Sequence, residues 1–310
     1  MDKILIIGSL NMDMVANVDH TPLTGETILT SEITLVSGGK GANQAYAAGR
    51  LRADVTMFGA VGEDSYGKTL LDSLTSAGVD AAGVLRRKDA ATGMAFITVN
   101  KEGDNSIVVV SGANATLSKE DIDAGRALIE NTDILLLQME IPVETVCHAA
   151  QMAKSMGKTV ILDPAPVPEH FPVELYRYID VIKPNETELY MLTGMNPEQN
   201  SIEEAAGWIR SRGVRNVLVT LGEAGVYLDS EEVGTVRIPA VAVHAVDTTA
   251  AGDAFTAAVA VKMAQGENLL DAAVFANQVS SIVVTRKGAQ SSIPSLEEVE
   301  DFIRQTEQMK

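Results

Sequence analysis

A mostly parallel, doubly wound α/β sheet is the fold class that three observations predict. From about residue 119 onward, short apolar runs alternate with longer amphipathic ones, the strand–helix alternation of a parallel sheet. Small, polar and acidic residues follow the carboxyl ends of the strand-like runs: Glu140, Asn185, Glu188, Thr220, Gly222 and Asp253. Ligands of open α/β sheets gather beyond that edge, so these residues are expected to share it. Finally, 310 residues with 46% hydrophobic and 21% charged content suit one large domain with a sizeable core.

Residues 3–8 form a short apolar run ending in glycine and read as a buried strand. Asn11 and Asp13 follow, two apart, so in an extended chain both project from one face. Two short polar side chains there can bond vicinal hydroxyls of a sugar, or simply face solvent. S-G-G-K-G at 37–41 opens an alanine-rich helix, and its glycines let backbone approach a ligand closely. The dinucleotide fingerprint is absent, because Gln44 stands where its third glycine belongs.

Residues 54–62 read as another strand and 67–77 as a helix. Between them G-E-D-S-Y-G-K-T, 62–69, matches the P-loop pattern formally, and the apolar run before Asp163 offers a magnesium-binding acid. Glu63 and Asp64 inside that loop would repel the phosphates it should wrap, so the NTPase reading is rejected on charge. Residues 92–99 and 105–110 are β-rich and joined by the turn signal K-E-G-D, 101–104, which predicts a hairpin. With the extended segment 11–36, the hairpin predicts a small sheet apart from the main one. It is a lid inserted into a single domain spanning 1–310, since no Pro/Gly/Ser-rich linker sets it off.

Helices are predicted over 118–130, 143–156 and 202–212, and strands over 133–138, 159–162, 180–182 and 216–220. The tail carries small-residue helices over 254–264 and 269–284 and a polar C-terminal helix. The stretch V-D-T-T-A-A-G-D-A-F, 246–255, links a strand-like run, 241–246, to the first of these. Ala250, Ala251 and Gly252 leave backbone N–H groups bare at a helix N-terminus, where the dipole also favours negative charge. A phosphoryl group can lie on such a turn. Asp253 stands in the first helical turn, where a carboxylate either caps the helix or takes a proton from an attacking hydroxyl.

The net charge of −18 repels polyanions, so nucleic acid is not an expected partner. A nucleoside triphosphate would need local N–H groups and a divalent cation. With Cys147 the single cysteine, no internal disulfide can form and a reducing compartment fits. No apolar run approaches the roughly 20 residues of a membrane span, and M-D-K-I-L-I-I-G shows no signal-peptide cleavage pattern. A soluble, cytoplasmic protein is expected. His20, His148, His170 and His244 lack zinc-site spacing, and no G-x-S-x-G elbow occurs.

Together the motifs resemble those of the PfkB family of sugar kinases, also called the ribokinase family. The carriers are S-L-N-M-D (9–13), G-G-K-G-A-N-Q-A (38–45), G-A-V-G-E-D-S-Y-G (59–67), K-P-N-E-T-E (183–188), V-T-L-G-E-A-G-V (219–226), D-T-T-A-A-G-D-A-F (247–255) and T-R-K-G-A-Q (285–290). Their order and spacing span nearly the whole chain.

The resemblance implies an αβα sandwich with a small β-lid, and a homodimer in which two lids meet. It implies ATP-dependent phosphorylation of the 5-hydroxyl of D-ribose, with 2-deoxyribose, fructose, a sugar acid or a nucleoside as the family's other acceptors. Asn11, Asp13, Gly39, Lys40, Asn43, Glu140 and Asp253 would hold the sugar. Asp253 would be the base, and the backbone of Ala250, Ala251 and Gly252 the anion hole. Asn185, Thr220, Leu221, Gly222, Gly225, Gly252 and Asn277 would contact ATP, and Glu188 would place Mg²⁺ through water. Asp247, with carbonyls near Thr249, Val283, Arg286 and Gly288 and the Ser292 position, would hold K⁺. The P-loop match then falls on a structural motif of the family. Asp163-Pro164 departs from the Asn-Pro often found there and is expected to lie outside the chemistry. A catalytically idle sugar sensor is disfavoured by the unbroken A-A-G-D turn.

Overall fold

The computed structural model describes residues 2–101 and 104–308. In chain order its elements begin with β1 (Ile4–Ile7), β2 (Asn11–Asn17), β3 (Ile33–Gly38), α1 (Lys40–Arg50), β4 (Val55–Phe58), β5 (Ala60–Gly62), α2 (Ser65–Ser76), β6 (Leu85–Arg87), β7 (Gly93–Val99) and β8 (Asn105–Val110). The second half holds α3 (Lys119–Ala124), α4 (Arg126–Glu130), β9 (Ile134–Leu137), α5 (Val143–Ser155), β10 (Thr159–Leu162), β11 (Val181–Ile182), α6 (Glu186–Thr193), α7 (Ile202–Arg210) and β12 (Asn216–Thr220). It closes with β13 (Val226–Ser230), β14 (Gly234–Ile238), α8 (Ala251–Ala264), α9 (Leu269–Val283) and α10 (Leu296–Gln308).

The main sheet has eight strands in the order β14-β13-β12-β11-β10-β9-β1-β4. From β4 to β12 neighbouring strands are parallel, and β13 and β14 extend the sheet antiparallel. Alternate residues of each central strand enter two separate cores. Ile4, Ile6, Ile134 and Leu136 pack with α1, α8 and α9, while Leu5, Ile7, Leu135 and Leu137 pack with α5 and α7. Burial on both faces is why these strands are continuous apolar runs rather than alternating ones. The winding reverses between β1 and β9, since the chain leaves β1 toward β4 but leaves β9 toward β10. A crevice beyond the strand ends is the expected ligand position at such a reversal.

A four-stranded sheet, β3-β2-β7-β8, stands apart. It contains the predicted hairpin, with Met94 opposite Val110 and Val99 opposite Asn105; of the predicted K-E-G-D turn, Glu102 and Gly103 lie outside the described residues. Only the ends of 11–36 are strand, because residues 18–32 make no ladder.

Several local expectations are corrected. Residues 54–62 are two strands in different sheets, parted at Gly59, where an added Cβ would lie 2.6 Å from the Gly8 carbonyl oxygen. Residues 118–130 form two short helices, α3 and α4, meeting at Gly125. Residues 241–246 are not a strand. They cross the surface largely exposed, and the Val246 N–H bonds the Val284 carbonyl rather than a neighbouring strand. The formal P-loop is a helix cap: Asp64 accepts from the Gly67 N–H at 2.8 Å and from Thr92, so its carboxylate fills the place a phosphate would need. Lys68 pairs outward with Asp72.

Candidate active site

Three segments converge beyond the carboxyl ends of β1, β9 and β10. The first is the Gly39 turn that opens α1. Gly39 has φ +88°, and Gly41 lies so close to β1 that a Cβ there would meet Gly8 and Ser9 backbone at 2.7 Å. This approach sets Lys40, Asn43 and Gln44 over the end of the sheet. Glu140, which follows β9, fixes the turn: its Oε2 accepts from the Lys40 N–H at 3.0 Å and from the Ser9 hydroxyl at 2.6 Å.

The second segment is the N-terminus of α8. Its N-cap is Ala250 at φ +61°, a left-handed conformation that costs a non-glycine residue energy, and no side chain caps the helix. Asp253 therefore does not cap. The Ala251 N–H is committed to the Thr248 carbonyl at 3.2 Å, whereas those of Gly252 and Asp253 have no protein partner among the described residues. Within the helix those two are the free donors for an anion, and the Ala250 N–H just before it likewise bonds none of the described residues. Ser280 of α9 holds the turn by bonding the Ala251 carbonyl at 3.0 Å.

Asp253, only 6% exposed, points back at α1. Its Oδ2 accepts from Asn43 Nδ2 at 2.9 Å and its Oδ1 from Gln44 Nε2 at 3.2 Å. Burial raises its pKa and Asp163 adds to this, against Lys40, the Asn43 hydrogen bond and Lys183. A carboxylate raised toward neutrality and oriented through both oxygens suits proton abstraction. Burial works against the charge on Lys40, but Asp253, Asp163 and Glu140 outweigh it and hold the ammonium above its ordinary range.

The third segment is the inner face of the small sheet. Asn11 is buried, and its Oδ1 accepts from Asn114 Nδ2 at 2.8 Å, which leaves its own amide hydrogens for a ligand. Asp13 packs against Gly38, whose missing side chain makes room for it. Burial, then Glu140 and Asp253, push its pKa up to about 7. Asn43 Oδ1 is buried without a partner among the described residues, an acceptor that fits a hydroxyl. Amide, carboxyl and ammonium groups thus converge at one place, as recognition of a polyhydroxylated ligand requires.

The remaining predicted residues lie along the same edge. Asn185 caps α6 by accepting from the Glu188 N–H at 2.8 Å, and Glu188 Oε2 returns the bond to the Asn185 N–H. This capping box, legible as N-E-T-E, marks the start of α6. Asn185 bridges to Thr220 at the end of β12. Beyond it the Leu221 N–H bonds the Gly225 carbonyl, in a turn that needs Gly222 at φ +56° and Gly225 at φ +91°. Asn277 of α9 donates to the Pro239 carbonyl at 2.8 Å, tying α9 to the surface segment before α8.

Asp247 joins that segment to the 285–290 turn. Its Oδ1 accepts from the Thr249 N–H and hydroxyl, and its Oδ2 from the Gly288 N–H. Burial opposes its ionisation, but these bonds hold it below the usual carboxylate range. One carboxylate thus joins the backbones of Thr249 and Gly288. Val283 is helical and buried, the Arg286 guanidinium turns away to Glu298, and Ser292 bonds the Ala289 carbonyl. Among the described residues no group of three or more His, Cys, Asp or Glu side chains could hold a metal ion.

Asp163 requires a correction. Far from lying outside the site, it is buried, ion-paired with Lys183 at 3.1 Å, and linked through Gln44 Nε2 at 3.1 Å to the amide that holds Asp253. Gln44, Gln138, Asn114, Ser9 and Lys183 were also missed as site residues. A buried Lys and Asp each just after an apolar strand run, at 183 and 163, was the available signal.

The fold and the convergence of hydroxyl-binding groups on a free helix N-terminus define a phosphotransferase-like site. The sequence pattern of "pfkB family carbohydrate kinase" matches residues 1–296. A ribokinase of Staphylococcus aureus is 40% identical over 96% of this chain and 98% of its own. The crystal structure of a Thermotoga maritima ribokinase matches with a TM-score of 0.91 at 40% identity, over 98% of this chain and all of that one. An Arabidopsis thaliana ribokinase complexed with ribose and ATP matches with a TM-score of 0.90 at 35% identity, over 97% and 98%. The chain belongs to the pfkB family of carbohydrate kinases.

Proposed function

We propose that this chain transfers the γ-phosphoryl group of ATP to the 5-hydroxyl of D-ribose. The observation that carries the reading is Asp253, oriented by Asn43 and Gln44, in the same helical turn as the free N–H groups. The names of the relatives supply the acceptor: a ribokinase, and a structure holding ribose with ATP. Asn11, Asp13, Gly39, Lys40, Asn43 and Glu140 bind the sugar hydroxyls. Asp253 takes the proton of the 5-hydroxyl as its oxygen bonds to the γ-phosphorus, and ADP leaves. The N–H groups at the start of α8 stabilise the charge that develops on the transferred group. Asn185, Thr220, Leu221, Gly222, Gly225 and Asn277 line the nucleotide's path along the sheet edge.

Mg²⁺ would neutralise phosphate charge, carried in by ATP and placed through water by Glu188, whose Oε2 accepts from the Asn185 N–H. K⁺ would sit beside the backbone that Asp247 joins at Thr249 and Gly288, and would steady the turn before α8. Cytoplasmic residence fits the single cysteine.

The small sheet acts as the lid over the sugar, excluding water as a competing acceptor. Opposite the Asp13 face, cross-strand neighbours Leu35, Met14, Phe96 and Val108 form one row. Leu35, Phe96 and Val108 in it are exposed by 53%, 45% and 62%, an apolar face that a second lid would cover. Phe96→Asp is expected to convert a dimer into single chains in sedimentation, and a wild-type chain sedimenting alone removes the dimer.

The function is tested by ADP release across D-ribose, 2-deoxyribose, fructose, a sugar acid and a nucleoside, with and without K⁺. Ribose is expected to give the highest kcat/KM and K⁺ to raise it. A different preferred acceptor refutes the ribose assignment.

A further inference from the structure

We propose that the buried Asp163–Lys183 pair, acting through Gln44, sets the orientation and charge state of Asp253. The inference rests on Asp253 being the base. Both groups lie at the sheet's carboxyl edge: Asp163 follows β10 and Lys183 follows β11, and their backbones bond the strand ends (Asp163 N–H to Leu137 carbonyl, Lys183 N–H to Leu162 carbonyl, each 2.9 Å). Asp163 is 1% exposed and Lys183 4%. A buried ion pair is seldom a gain in stability over apolar packing, so its position calls for another reason.

Gln44 supplies the connection. Its Oε1 accepts from Gln138 Nε2 at 2.6 Å, which leaves its amide nitrogen to face the two carboxylates. That nitrogen has two hydrogens: one meets Asp163 Oδ2 at 3.1 Å, the other Asp253 Oδ1 at 3.2 Å. Asp163 thus anchors the donor that holds the base. Lys183 acts from the other side. Its ammonium lies 3.3 Å from where a Cβ on Gly252 would stand, directly under the α8 turn. It neutralises Asp163 and offers positive charge to Asp253, while Asp163 pushes the opposite way. The other charged groups facing Asp253 are Lys40 from α1 and Asp13 from β2, and Glu140 after β9 faces both of them. Asp163 and Lys183 are therefore positioning residues whose charges act on the base in opposite directions.

The test is the pH dependence of kcat/KM for ribose at saturating ATP in Asp163→Asn, Lys183→Met and the double variant. Asp163→Asn keeps an oxygen for Gln44 and removes only the negative charge, so the acidic limb is expected to move down by about one pH unit. Lys183→Met is expected to move it up by a similar amount, and the double variant to return it close to wild type. If Lys183→Met does not fold because Asp163 is left unpaired, Asp163→Asn and the charge-free double still decide. A limb that stays in place in Asp163→Asn, whatever happens to kcat, makes the pair a structural plug and overturns the proposal. So does a limb still displaced in the double variant. Turnover retained by Asp253→Asn is a different failure, since it removes the base and not its supports.

Discussion

Replacing Asp253 by Asn is expected to leave ribose and ATP binding near wild type and to lower kcat by about 10²–10⁴-fold, the usual worth of a positioned general base. Asn has the same shape, and its oxygen can still accept from Asn43 or Gln44. What disappears is the capacity to take a proton from the attacking hydroxyl. Steady-state kinetics with ribose, together with calorimetric titration of each substrate, separate the two effects. A variant that turns over at close to the wild-type rate removes Asp253 as base. One that has lost ribose binding as well assigns it to holding the sugar.

The second large effect is structural. Gly41→Val drives a branched side chain into Gly8 and Ser9 backbone, which cannot rotate away as a side chain would. Overpacking of this kind costs about 1–3 kcal/mol, and because the nearest atoms are all backbone, Gly41 belongs at the top of that range. The strain falls on the start of α1, which carries Lys40, Asn43 and Gln44. Thermal midpoint and kcat/KM are therefore expected to fall together. Gly207→Ala on α7 is the control, since a Cβ there meets nothing within 4 Å; it should leave kcat/KM unchanged and the midpoint unchanged or somewhat raised by the better helix former. A Gly41→Val protein that melts with wild type would contradict the close approach of α1 to β1.

Much of this site was legible because its chemistry is local in sequence. The A-A-G-D turn and the S-G-G-K-G loop each write a helix N-terminus in small residues, and α8 and α1 begin there. The main sheet was legible for a related reason: strands such as β9 and β10, buried on both faces, must be continuous apolar runs. What sequence could not convey was pairing between distant segments. Gln44 meets Asp163 and Asp253 across 119 and 209 positions, and Lys183 meets Asp163 only because β10 and β11 are neighbours. Asp163 was set aside for want of that contact. The antiparallel extension β13–β14 was missed because five-residue strands with mixed exposure give little periodic signal. Residues 241–246 have a strand's composition but no neighbour to pair with, and pairing decides.

The structure of the Asp253→Asn variant with ribose and ATP bound tests the central claim most directly. The expected result places the ribose 5-hydroxyl oxygen about 3 Å from the side chain at 253, with the γ-phosphate on the N–H groups at the start of α8. Nucleotide and sugar bound away from that turn, or a turn directed into packed interior, would contradict the account.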